Sequence, residues 1–224
     1  RECFRQLDPQ VAFDWQVSDG MTVAAEQTLV SLHGDARALL SAERPALNFL
    51  QTLSAVATHT RQYVDAVADL HTQILDTRKT LPGLRLAQKY AVLTGGGGNQ
   101  RLALYDGILI KENHIAAAGS IAQVLATAFA LNTTRNIQIE VESLDELAQA
   151  LQAGATNILL DNFSPTALRA AVAYNQSEAR AHNRPPALLE ASGNISLSTV
   201  RNIAETGVDR ISIGGLTKHI QAID

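Results

Sequence analysis

Two hydrophobic periods divide the chain. Near its start, Val11, Phe13, Trp15 and Val17 alternate with polar neighbours, the spacing of a half-buried strand. Asp19-Gly20 reads as a turn, and Thr28 to Leu32 as a second short strand before His33-Gly34. That is a fragment of sheet, too small to be a domain alone. From Glu43 to His71 the period lengthens. Leu47, Leu50, Leu53 or Ser54, Ala57, Arg61 and Val64 recur at three- and four-residue steps and predict a helix. Pro45 falls near its expected start, where a helix tolerates proline.

Beyond that helix, short apolar runs recur, each closing on charged residues or glycine and each followed by a helical stretch. They are Ile74-Leu75 before Asp76, Ile108 to Ile110 before Lys111, and Ile137 to Ile139 before Glu140. Ile158 to Leu160 before Asp161, Leu188-Leu189 before Glu190, and Ile211 to Ile213 before Gly214 continue the series. Ser120 with Gln123 and Ser143 with Glu146 fit capping boxes, and Ser164-Pro165 supplies a cap followed by a first-turn proline. Gly154 and Gly207 stand where helices should stop. Repeated βα units with buried strands imply an α/β fold with a parallel sheet, and the spacing suits a barrel of the TIM type. An open doubly wound sheet is the alternative, although no phosphate fingerprint follows the first strand. Six strands are clear and Ala91 to Thr94 is a candidate seventh, so the barrel is either incomplete or only partly legible.

In a barrel, the C-terminal strand ends face one mouth. Here they contribute Asp76-Thr77-Arg78-Lys79-Thr80, Lys111-Glu112-Asn113-His114, Glu140-Val141-Glu142, Asp161-Asn162, Glu190 to Asn194, and Gly214-Gly215. A glycine loop, Gly95 to Gly98, leads into Asn99-Gln100-Arg101. Arg78, Lys79, Arg101 and Lys111 would form a cationic pocket for a polyanion. Glu140 and Asp161 are hard oxygen donors suited to Mg²⁺ shared with phosphate oxygens. Ser192-Gly193 and Gly214-Gly215 end the last two strands, where barrels bind phosphate through backbone N–H groups. A phosphorylated sugar substrate follows. Each feature also has a plainer reading: a solvated Arg-Lys pair, a flexible glycine turn, a helix cap at Asp161-Asn162, a structural ion pair at Glu140, a structural His114. Their coincidence at strand ends favours function.

Composition narrows the partners. Hydrophobic residues make up 46% of the 224 and charged residues 18%, with a formal net charge of −4, so neither nucleic acid nor an anionic membrane is an expected partner. The single cysteine, Cys3, excludes an internal disulfide or thiolate cluster. No apolar run reaches spanning length and Arg1-Glu2-Cys3 does not open a signal peptide, so a cytoplasmic protein is expected.

Several segments resemble the quinolinate phosphoribosyltransferases, the decarboxylating type II phosphoribosyltransferases. They are Glu43 to Asn48, Leu75 to Arg85 (LDTRKTLPGLR), Lys89 to Val92, Gly95 to Arg101, Leu109 to Ile115 (LIKENHI), Leu159 to Phe163 (LLDNF), Leu189 to Ile195 (LEASGNI) and Gly214 to His219. The resemblance implies an incomplete, seven-stranded α/β barrel joined to an open-faced α/β sandwich. It divides the chain into a partial N-terminal sandwich (1–42), a connecting helix (43–71), a catalytic barrel (72–217) and a C-terminal return segment (218–224). Set against the family, the chain starts partway through the sandwich and stops just short of the usual end. The implied activity is phosphoribosyl transfer from phosphoribosyl pyrophosphate to quinolinate with loss of CO₂, giving nicotinate mononucleotide for NAD synthesis.

The same resemblance assigns residues. Arg78, Lys79, Arg101 and Lys111 would bind the two carboxylates and the diphosphate. Lys79, Lys111, Glu140 and Asp161 would carry catalysis, with Glu140 and Asp161 near Mg²⁺ and the ribose hydroxyls. Ser192, Gly193, Asn194, Gly214 and Gly215 would hold the 5′-phosphate. Arg44 matches the arginine that reaches a partner's active site, implying an obligate homodimer, with a hexamer as a further option. Gln100 stands where the family usually has histidine; it can hydrogen-bond a carboxylate but cannot carry charge. The alternatives are a nicotinate phosphoribosyltransferase and a non-catalytic barrel protein of the molybdate-transport type.

Overall fold

The computed structural model describes residues 1–224. Helix α1 (Glu2–Arg5), strand β1 (Ala12–Trp15) and strand β2 (Val30–His33) form the N-terminal unit, with β1 and β2 antiparallel and Phe13 opposite Leu32. Phe4, Val11 and Ala42 make a small core there, with Phe13, Leu32 and Leu39 against it. Within β1 only Phe13 is partly buried, and Trp15 on the same face is exposed.

Helix α2 (Ala36–Ala66) starts seven residues before the expected Glu43 and ends before the expected His71. The reason is local chemistry that hydrophobic spacing misses. Asp35 caps the helix by accepting from Arg37 N at 3.0 Å and Ala38 N at 3.2 Å. Pro45 consequently lies inside α2 rather than in its first turn, where its missing N–H leaves the Ser41 carbonyl without its helical donor.

The larger unit alternates β3 (Gln73–Leu75), α3 (Arg85–Thr94), β4 (Gly107–Ile110), α4 (Glu112–Ala118), α5 (Ile121–Ala130), β5 (Asn136–Val141), α6 (Leu144–Gln152) and β6 (Asn157–Asp161). It continues through α7 (Pro165–Ala181), β7 (Leu188–Ser192), α8 (Val200–Ala204), β8 (Arg210–Ser212) and α9 (Gly215–Lys218). Six strands form one parallel sheet in the order β3-β8-β7-β6-β5-β4. The expected seventh strand at Ala91–Thr94 is the end of α3. Its burial has helical spacing, with Gln88, Lys89 and Val92 inward and Leu86, Tyr90 and Leu93 outward. Instead Gly98 makes an isolated parallel bridge to Leu75 on the free edge of β3.

The capping signals hold: Ser120, Ser143 and Ser164 accept from the N–H three residues on, and Gly154 and Gly207 adopt φ of 86° and 90° after α6 and α8. Past Lys218 the chain has no regular structure and returns to α2, where Ile223 N donates to Gln51 O.

Alternation along the strands creates two unlike faces. Ile74, Ile139, Val141, Ile158, Leu160, Leu189, Ala191, Ile211 and Ile213 join the helices in one 30-residue core. The intervening positions, among them Gln138, Glu140, Leu159, Asp161, Glu190, Ser192 and Arg210, face the concave side. That concave face is largely polar.

Candidate active site

The loop after β3 is fixed from both sides. Arg85 on α3 donates to the Arg78 carbonyl and to Thr80 Oγ1, each at 3.1 Å, while Thr217 Oγ1 on α9 donates to the Lys79 carbonyl at 2.8 Å. The Lys79 side chain, left exposed, crosses the end of β8. A Cβ on Gly214 would meet Lys79 Cδ at 3.0 Å, so a larger residue there would have to displace the lysine. Arg101 donates to the Gly107 carbonyl at 2.9 Å. Burial first, and the nearby Arg78 guanidinium second, disfavour its charged form. A bound anion would favour the charged form again.

Across the rim, Lys111 Nζ lies 2.9–3.0 Å from both Glu140 oxygens, with 10% of the glutamate and 44% of the lysine side chain exposed. The next corner is built on backbone geometry. Asn162 sits at φ 56°, donates through N to Ser192 O at 2.9 Å and through Nδ2 to Asp161 Oδ2 at 2.7 Å. Gly193 has φ 104°, and a Cβ there would fall 2.1 Å from Asn162 Oδ1, so only glycine fits. Asn194 follows at φ 49°, and Gly215 begins α9 directly after Gly214.

The strand ends therefore bring together Lys79 with Gly214, Lys111 with Glu140, and Asp161 with Asn162, Ser192 and Gly193. Arg44 is exposed on α2 and makes no ion pair or side-chain hydrogen bond in this chain. Gln100, expected to face substrate, turns its amide into the lumen, where Nε2 donates to Glu190 Oε2 at 2.5 Å and to Gln138 Oε1 at 3.3 Å. No group of three His, Cys, Asp or Glu side chains forms a metal cage. Glu140 and Asp161 fit a Mg²⁺ ion only as one or two ligands completed by substrate oxygens, the usual mode for that ion.

The sequence reading assigned no role to Asp76, Lys89 and Asn99, which anchor the glycine loop from behind. Asp76, wholly buried, accepts from Lys89 Nζ (2.5 Å), Asn99 Nδ2 (2.7 Å) and Gln100 N (2.8 Å). Burial raises its pKa and the Lys89 ammonium opposes the rise. The available signal was a carboxylate directly after the apolar Ile74-Leu75. Below the rim, Gln73, Asn136 and Arg210, each the first residue of its strand, help to line a cavity of about 270 Å³ with Gln100 and Gln138.

Comparison with known proteins places these features. Residues 1–54 match the family described as quinolinate phosphoribosyl transferase, N-terminal domain, and residues 56–224 match its C-terminal domain. The chain is 41% identical over 225 residues to a probable nicotinate-nucleotide pyrophosphorylase (carboxylating) of Bacillus subtilis (strain 168), covering 100% of this chain and 75% of that protein. It is 43% identical over 210 residues to the corresponding enzyme of Mycobacterium leprae (strain TN), covering 94% and 72%. The solved nicotinate-nucleotide pyrophosphorylase of Francisella tularensis superposes with a TM-score of 0.93 at 46% identity, over 100% of this chain and 77% of that one.

Proposed function

The chain belongs to the quinolinate phosphoribosyltransferase family, and from that premise we infer how its rim handles the two substrates. It is a pentosyltransferase that moves phosphoribosyl from phosphoribosyl pyrophosphate to quinolinate with decarboxylation, yielding nicotinate mononucleotide, CO₂ and pyrophosphate. The observation that carries the residue assignment is the Lys111–Glu140 pair at 2.9 Å, whose lysine is 44% exposed and can trade the carboxylate for phosphate oxygens. Arg78 and Arg101 bind the two carboxylates of quinolinate. Lys79 and Lys111 take the diphosphate, with Lys111 exchanging Glu140 for phosphate oxygens. Ser192, Gly193, Asn194, Gly214 and Gly215 hold the 5′-phosphate through backbone N–H groups.

The pyridine nitrogen attacks ribose C1 as the C1–O bond to pyrophosphate breaks. The ring becomes cationic and accepts the electron pair left at C2 when the adjacent carboxylate departs as CO₂; a proton then replaces it. No side-chain nucleophile is needed, so the protein acts by positioning and by preorganised charge. Lys79 and Lys111 neutralise the leaving group, while Glu140 and Asp161 face the developing sugar cation. Mg²⁺, held by Asp161 and Glu140 together with diphosphate oxygens, would supply further neutralisation of the leaving pyrophosphate.

The finer assembly belongs to the same proposal. Arg44, exposed and unpaired in its own chain, completes a partner's site in a homodimer. Gly98 occupies the place of the seventh barrel strand beside β3. No helix is long and apolar enough to cross a membrane, which suits a cytoplasmic enzyme. The test is an assay of nicotinate mononucleotide from phosphoribosyl pyrophosphate, Mg²⁺ and either quinolinate or nicotinate. Quinolinate should be used with one CO₂ released per nucleotide; preference for nicotinate would overturn the substrate assignment.

A further inference from the structure

Gln100 passes through the wall of the sheet and is gripped on both faces. On the helix side its backbone N–H donates to Asp76 Oδ1 and its carbonyl accepts from Lys89 Nζ, each at 2.8 Å. On the lumen side its amide nitrogen donates to Glu190 Oε2 and Gln138 Oε1. An amide nitrogen has two hydrogens, so both are engaged. Its remaining polar atom, Oε1, turns back to accept from Arg101 N at 3.2 Å. Arg101 is thus set at its backbone by Gln100 and near its guanidinium by the Gly107 carbonyl.

Glu190 is unlike an ordinary structural carboxylate. It has no exposed surface, the donors to its Oε2 are the neutral amides of Gln100 and Gln138, and its Oε1 has no hydrogen-bond partner. No salt bridge reaches it. No cation in the chain pairs with it, so its contacts are those two amides. What it does hold is the amide of the residue before Arg101.

We propose that Glu190 is a positioning residue for Arg101, acting through the Gln100 amide. Gln100 then shapes the carboxylate site without touching substrate. The proposal rests on the reading of Arg101 as a ligand of quinolinate, and the experiment separates the two.

The variant Glu190→Leu removes both acceptors at similar size and is measured by steady-state kinetics with quinolinate, with a thermal melt to show that it folds. KM for quinolinate should rise about tenfold while kcat stays within about threefold. Glu190→Gln, whose carbonyl oxygen can still accept from the Gln100 amide, should keep most of the affinity. In an Arg101→Ala background, Glu190→Leu should add little further loss, as expected of residues acting in series. An unchanged KM in Glu190→Leu, or kcat and KM moving together, would overturn the proposal, as would a KM in Glu190→Gln as high as in Glu190→Leu. If Arg101→Ala leaves KM unchanged, the substrate reading itself fails. If Arg101→Ala raises KM and Glu190→Leu does not, only the positioning role fails.

Discussion

Two lysine–carboxylate pairs stand on opposite faces of the same sheet. Lys89 and Asp76 meet at 2.5 Å on the helix side, with 4% and 0% of their side chains exposed. Lys111 and Glu140 meet at 2.9 Å on the rim, with 44% and 10% exposed. The first carboxylate also accepts from Asn99 and the Gln100 N–H, and burial closes it to any ligand. The second pair leaves its lysine half in water, free to trade one anion for another. The same chemistry therefore fastens a loop in one place and waits for substrate in the other. Solvent access decides which.

The comparison is broken most severely by Lys89→Ala. Removing one partner of a sealed pair leaves Asp76 buried and uncompensated, which should destabilise the fold by about 3–5 kcal/mol. Chemical denaturation at neutral pH would measure it; a loss under 1 kcal/mol would mean that solvent reaches the pair. Lys111→Ala should act in the opposite sense, leaving the melting curve nearly unmoved but raising the reaction barrier by about 2–4 kcal/mol, read from kcat/KM. A large drop in Tm with near-normal kinetics would make Lys111 a structural residue.

The smallest effect belongs to a surface cluster of one arginine and two carboxylates, which sharpens the contrast. Arg201 joins Asp69 and Glu205 in full solvent, and Arg201→Ala should leave Tm within replicate scatter at ordinary salt. Its hydrogen bonds from Arg201 hold the Asp69 carboxyl below its usual value. The sign follows: whatever stability it adds is present above the ordinary carboxylate range and disappears as pH falls through the lowered value. A melt series from neutral to acid pH, run on the variant and the parent, would show the difference between them closing in that direction.

Much of the fold was legible. Each apolar run from Ile74 to Ile213 became a parallel strand, and the caps at Ser120, Ser143 and Ser164 hold their helices, because period and capping are properties of a few neighbouring residues. The start of α2 was misplaced because the Asp35 cap carries that signal and hydrophobic spacing does not. Ala91 to Thr94 was misplaced for a related reason: four apolar or small residues suit either element until the burial of Gln88, Lys89 and Val92 shows a helical face. The polar groups that end the strands were legible as an inventory, Arg78, Lys79, Lys111, Glu140 and Asp161 with the Ser192 and Gly214 turns, while Arg101 follows the glycine loop.

The sequence by itself determined the alternation of elements, the family, and which charged groups end each strand. Only the tertiary structure decided what each polar group faces. Asp76 and Glu190 both follow short apolar runs, yet Asp76 turns to a helix that supplies Lys89, and Glu190 turns to a lumen that supplies only amides. Gln100, expected at the substrate, is drawn inward by that same carboxylate. Strand periodicity separates two faces without naming them. Naming them requires the register of strands far apart in the chain, and the helices that close one side and leave the other open.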